Sequence, residues 1–142
     1  MKRLALAVIV LAATSAAVAQ DNPIAARKAI LKGFGDAMKT PGAMLKGEAP
    51  FDPAPVKAAL QTLSAGAKKL PSLFPPDSKT GDTAASPKIW DEKSKFEALY
   101  AKLDQDATAA AAAITDEASF RHEMPKVLGN CKACHDDYRV KK

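Results

Sequence analysis

The sequence predicts an all-α fold, an antiparallel four-helix bundle, and three observations carry that prediction. Alanine and lysine are abundant, and no run alternates apolar and polar residues with β-branched enrichment, so strands have no support. Four segments beyond residue 22 repeat apolar residues at helical spacing. Each opens on an Asn, Asp or Ser start signal, in three cases followed directly by proline. Four amphipathic helices of such length pack antiparallel, and bundle cores commonly hold a cofactor between facing helices.

The first helix is expected from Pro23 to Lys39, with Asn22 as N-cap and Pro23 at the first helical position. Ile24, Leu31, Phe34 and Met38 form its apolar stripe, and Arg27 lies inside that stripe. Pro41-Gly42 interrupts or kinks it. The second helix starts at the Asp52 cap and Pro53 and continues to Leu70, with Val56, Leu60, Leu63, Ala67 and Leu70 on one face. Residues 71–86, with Pro71, Pro75, Pro76 and Gly81, read as a long loop that crosses the bundle or covers a cofactor edge. Ser86-Pro87 opens the third helix, which carries Ile89, Trp90, Phe96, Leu99, Tyr100 and Leu103 and ends in Ala109 to Ala113. Alanine is the strongest helix former, so that run needs no other explanation. The fourth helix follows the Asp116 cap. Phe120, Met124, Val127, Leu128, Cys131, Cys134, His135 and Tyr138 form its stripe, and Pro125 is expected to kink it.

The last helix carries Cys131-Lys132-Ala133-Cys134-His135. C-x-x-C-H is the attachment signature of a c-type haem: two thiols add to the porphyrin vinyl groups, and the adjacent imidazole becomes the proximal iron ligand. The two cysteines are three residues apart and His135 is four beyond Cys131, so all three project to one side of a helix. A disulfide or a thioredoxin-like C-x-x-C are the alternatives; neither needs the histidine, and the βαβ pattern of a thioredoxin is absent.

Residues 1–19 read as a secretory signal: Lys2 and Arg3, the apolar stretch Leu4 to Ala13, then Ala17-Val18-Ala19 as the cleavage site. A membrane anchor is the alternative, but the apolar stretch is short for a span. The expected mature chain, residues 20–142, is one haem domain in the periplasm, with no membrane association after cleavage. Loss of Lys2 and Arg3 lowers the formal charge from +5 to +3, too mild a balance to indicate nucleic acid. The Lys141-Lys142 tail reads as a solvated end.

A C-terminal C-x-x-C-H on the last of four helices resembles the class II c-type cytochromes, the cytochrome c′ family; class I cytochromes carry the motif near the N-terminus. The resemblance covers the whole mature chain. It rests on Cys131 to Arg139, on Pro87-Lys88-Ile89-Trp90 followed by Phe96, and on Arg27-x-x-x-Leu31. It implies thioethers at Cys131 and Cys134, iron ligation by His135, and Arg27 close to a haem propionate. It also implies Trp90 and Phe96 against the macrocycle, Arg139 as a basic residue beside the proximal histidine, and a homodimer formed by the first two helices. Arg27 has an independent argument, since a guanidinium on an apolar stripe is costly unless it meets an anion. Snorkelling to the bundle edge is the alternative for Arg27, and a helix C-terminal cation is the alternative for Arg139. Core packing would bury Trp90 and Phe96 equally well.

The resemblance also makes one position decisive. Low-spin relatives place a methionine four residues after the position equivalent to Arg27 and act as electron carriers. Cytochromes c′ proper carry an apolar residue there and bind nitric oxide and sometimes carbon monoxide. Here the position is Leu31, which has no lone pair. The expectation is therefore a five-coordinate, high-spin haem c with an apolar distal face, binding nitric oxide or carbon monoxide and exchanging electrons with a redox partner. The competing expectation is a six-coordinate electron carrier, because Lys46-Gly47-Glu48, Leu70-Pro71 and Phe74-Pro75 resemble the low-spin group. Met38, two turns beyond Leu31 on the same stripe, would then be the sixth ligand, with Met44 and His122 as remoter candidates. His122 lies off the main stripe and reads as an exposed histidine. No catalytic acid or base is placed by the pattern, so an enzyme is not expected.

Overall fold

The computed structural model describes residues 22–140. The signal segment and the Lys141-Lys142 tail lie outside the described residues. Six α-helices follow in order: α1 Pro23–Ala37, α2 Lys39–Lys46, α3 Pro53–Lys69, α4 Lys88–Asp91, α5 Lys93–Ala113 and α6 Glu117–Tyr138. Among the described residues there is no strand, only an isolated bridge between Ala85 and Arg139. The long helices α1, α3, α5 and α6 form the predicted four-helix bundle.

The starts are those the sequence signals. The Asn22 side chain accepts from the backbone of Ile24 and Ala25, and Asp52 accepts from Ala54. Asp116 and Ser119 form a reciprocal capping box at the head of α6. Val56, Leu60, Leu63 and Ala67 are all buried along α3, as the period requires. Phe120, Met124 and Val127 do the same on α6, each large side chain contributing about 1.5–3 kcal/mol of burial.

Two expected helices are divided. The first ends at Ala37 and restarts at Lys39, because Pro41 has no N–H to offer the Ala37 carbonyl. α2 then stops at Gly47, whose φ of 76° is the left-handed conformation that glycine adopts without a Cβ penalty. The third expected helix breaks at Glu92 (φ −120°, ψ 39°) into α4 and α5. The break lets two neighbouring side chains meet different demands. Trp90 donates its indole N–H to the carbonyls of Phe74 and Pro75 at 3.1 and 3.0 Å, while Phe96 turns into the core. α6, by contrast, remains one helix across Pro125.

The loop is ordered by short 3-10 turns at Leu70–Leu73 and Pro76–Ser78, then runs extended past Ala85. The Ser86 N–H donates to the Tyr138 carbonyl and Val140 N–H to that of Ala84, both at 2.9 Å. These bonds tie the loop to the end of α6, beside the haem motif. On the other side α1 approaches α3 at Gly66, where a Cβ would lie 2.3 Å from the Phe34 ring. Only a glycine permits that contact.

Candidate haem site

Between α1, α5, α6 and the loop lies a cavity of about 650 Å³. Most of its lining is hydrocarbon, from residues such as Leu31, Phe34, Leu63, Phe96, Leu99 and Leu103. The loop contributes Phe74 and residues 82–85, so it covers the cavity edge, the second of its two expected placements.

α6 brings the motif to this wall. Its start is fixed by the capping box, and its buried stripe against α5 sets its rotation. One residue before the motif, buried Asn130 donates to the Asp106 carboxylate of α5 at 2.7 Å. Cys131, Cys134 and His135 then all line the cavity. The cysteines are free thiols, not a disulfide. Burial raises the Cys131 thiol pKa and pushes that of Cys134 up to about 11, so both are neutral at pH 7. Burial, and secondarily the Arg139 cation, lower the His135 pKa and favour the neutral imidazole with a free lone pair. Two thiols three residues apart and an adjacent neutral imidazole, on the wall of an apolar cavity, fit a covalently attached haem.

Arg27 lines the cavity and is 2% exposed, and its two terminal nitrogens bond to the loop. Nη1 donates to the Leu73 carbonyl (3.1 Å) and Ser78 Oγ (2.8 Å). Nη2 donates to the Ser78 carbonyl (3.0 Å) and Thr83 Oγ1 (2.9 Å). The guanidinium also lies over the Phe74 ring, 4.5 Å from its centroid. Both terminal nitrogens therefore hold the loop, and only Nε is left for a propionate. The snorkelling alternative does not apply to a side chain so enclosed. Lys28 adds an exposed ion pair to Asp82 on the same loop.

The other expected residues divide. Leu31, Phe96 and Arg139 line the cavity. Trp90 does not: it packs behind Phe74, at 6.2 Å between ring centroids, because its indole N–H is drawn to the loop carbonyls. Met38 lines the cavity at the α1–α2 break and also packs against the core. Met44 is buried core, away from the lining. The His122 side chain is 71% exposed and bonded to Glu123, which removes it as a haem ligand.

Sequence reasoning missed four contributors. Ser78 and Thr83 sit in a loop without periodicity, so nothing in the sequence marked them as partners of Arg27. Asn130 carried a weak signal, a polar residue directly before the motif. Tyr100 was placed only on the helix stripe. It is buried on the cavity wall, in a T-shaped contact with Phe96 at 5.1 Å, and burial pushes its phenol above the usual range.

A helical bundle whose last helix presents C-x-x-C-H to an internal apolar cavity is a c-type haem protein. The cytochrome c′ family model matches residues 22–139. A solved structure of cytochrome c′ from Rhodopseudomonas palustris is 59% identical, with a TM-score of 0.85 over 87% of this chain and 99% of its own. Cytochrome c-556 from Agrobacterium fabrum is 42% identical over 127 residues, 89% of this chain and 86% of the relative. The nitric oxide complex of a mutant cytochrome c prime from Alcaligenes xylosoxidans is 27% identical, with a TM-score of 0.74 over 84% of this chain and 94% of its own. The chain belongs to the cytochrome c′ family of class II c-type cytochromes, and binds haem c covalently through Cys131 and Cys134.

Proposed function

We propose that this cytochrome is of the five-coordinate, high-spin kind, binding nitric oxide or carbon monoxide and exchanging single electrons with a redox partner. Leu31 carries the reading. Leu31 lines the cavity, and at this position, where the resemblance puts a sixth ligand, its side chain is a hydrocarbon without a lone pair. When bound, the haem supplies an iron that alternates between ferrous and ferric states and accepts a small diatomic. His135 is the proposed iron ligand, with its imidazole kept neutral by burial. Arg139, close enough to lower the His135 pKa, is the basic residue beside it. Leu31, Phe34 and Phe96 give the cavity an apolar lining. Arg27 holds the loop over the cavity edge, and Trp90 acts through Phe74. The nitric oxide complex of a relative supports the gas-binding part.

The same reading places the chain in the periplasm, because the N-terminal segment has the form of an export signal. No described helix is long and apolar enough to cross a membrane. Residues 20–142 then form one haem domain, and a homodimer through α1 and α3 follows from the resemblance. The protein is a carrier and binder rather than an enzyme, since its one cavity imidazole is committed to iron.

The alternative is a low-spin, six-coordinate electron carrier with Met38 as sixth ligand. Met38 lines the same cavity, and the chain has a cytochrome c-556 among its relatives. Optical spectra of the ferric and ferrous holoprotein, with and without carbon monoxide, decide between the two. A high-spin spectrum that shifts with carbon monoxide is expected. A low-spin spectrum indifferent to the gas would overturn the proposal, and Met38→Ala should then turn it high-spin.

A further inference from the structure

The cavity wall is not wholly apolar. Tyr100 on α5 lines it and is only 6% exposed, with its ring held edge-on against Phe96. Cys131, Cys134 and Arg27 line the same cavity, so Tyr100 shares it with the haem motif and the anchor of the loop. The phenol oxygen has no hydrogen-bond partner among the described residues. The contrast with Tyr138 is direct. Tyr138 also packs edge-on against Phe96, and its hydroxyl donates to Glu92 at 2.9 Å. No side-chain polar atom that is fully enclosed by protein lacks a partner among the described residues. The Tyr100 oxygen is therefore not sealed in packing, and in so buried a residue the space it meets is the cavity. A phenol at such a position is costly without an acceptor, and phenylalanine would fill the same volume.

We propose that Tyr100 is a hydrogen-bond donor of the haem site, giving its proton to an oxygen acceptor of the haem unit. The acceptor is either a carboxylate of the macrocycle or the oxygen of a diatomic held at iron. This inference rests on the haem reading above, but only its second form needs an open iron. In that form the site discriminates among gases by a donor on α5, not only by the crowding of Leu31.

The test compares the wild-type holoprotein with Tyr100→Phe, which removes one oxygen and keeps the ring. Two quantities are read: the reduction potential without added ligand, and the carbon monoxide complex by its C–O stretching frequency and dissociation constant. A carboxylate acceptor predicts a lower potential in the variant, because an unbonded carboxylate carries more negative charge toward the iron, with the carbon monoxide stretch unchanged. A bound-gas acceptor predicts a higher stretching frequency and affinity weaker by roughly fivefold, with the potential unchanged. If both quantities match wild type, Tyr100 is a packing residue and the proposal is overturned. Near-ultraviolet circular dichroism confirms that the variant is folded. Should the wild-type protein not bind carbon monoxide at all, the gas-binding function fails, while the potential still tests Tyr100.

Discussion

The two ends of the bundle solve the same packing problem differently. At one end the starts of α3 and α6 and the finish of α5 meet, with only a shallow cleft of about 220 Å³ between Pro53, Val56 and Leu60 of α3 and Ala111 of α5 and Ile114 after it. Phe120 is fully buried against Phe51, 5.3 Å between centroids, and Met44, Leu60 and Met124 are buried in the same core. At the other end the same helices diverge around a cavity of about 650 Å³ that carries two thiols and an imidazole. The first end is packed mainly by the chain's own side chains and leaves much the smaller space. The second uses polar anchors, Arg27 and Asn130, to hold a wall in place without filling it. The difference shows where the cofactor is part of the core: haem c substitutes at one end for the aromatic and aliphatic filling of the other.

That contrast predicts a ranking of effects. The largest comes from Cys131→Ser with Cys134→Ser. Covalent haem should be lost entirely, read by haem staining after denaturing electrophoresis. Amide protection in α6 should fall more beyond Val127 than before it. Equal loss along the helix would mean that the two ends are not separable. Phe120→Ala acts on the closed end and should cost about 3–5 kcal/mol in chemical denaturation, while the haem absorption spectrum stays as in wild type. A changed spectrum would join the two ends energetically. Arg27→Met strips four hydrogen bonds from the loop. It should lower stability by about 1–3 kcal/mol and speed amide exchange selectively in residues 74–85. Exchange unchanged there would return Arg27 to a purely propionate role.

The smallest effect is electrostatic. The Asp116 carboxylate is held below its usual pKa first by the Ser119 backbone N–H and then by its hydroxyl. Its folded pKa is depressed, so its contribution is present above the unfolded carboxylate pKa and is lost as pH falls through the folded value. Asp116→Asn should flatten the acid side of the stability curve slightly and leave neutral behaviour almost unchanged. The haem spectrum should ignore the substitution throughout that range.

Much of the fold was legible because the elements announce themselves locally. Asn22, Asp52 and Asp116 each cap the helix expected of them, and the α3 stripe is buried residue for residue. The haem motif was legible for another reason, since its chemistry requires fixed residue types at fixed spacing. The divisions at Met38 and Glu92 were less so. Pro41 gave a warning of the first, but the second arises because Trp90 and Phe96 answer to different neighbours.

By itself, the sequence determined the helical class, the starts of α1, α3 and α6, the attachment chemistry and the chain's place among class II cytochromes. Each depends on residues close together in the chain. Only the tertiary structure decided where Arg27, Trp90 and Tyr100 sit and what they touch. Arg27 was read as the partner of a haem propionate, and residues 46, 51 and 56 positions away supply acceptors that the sequence did not mark. Trp90 moved off the cavity wall because loop carbonyls claimed its N–H. Tyr100 became distinct from Tyr138 only when one hydroxyl met Glu92 and the other met the cavity. Long-range polar partnerships leave no periodic trace along a chain, so they are settled where the chain folds back on itself.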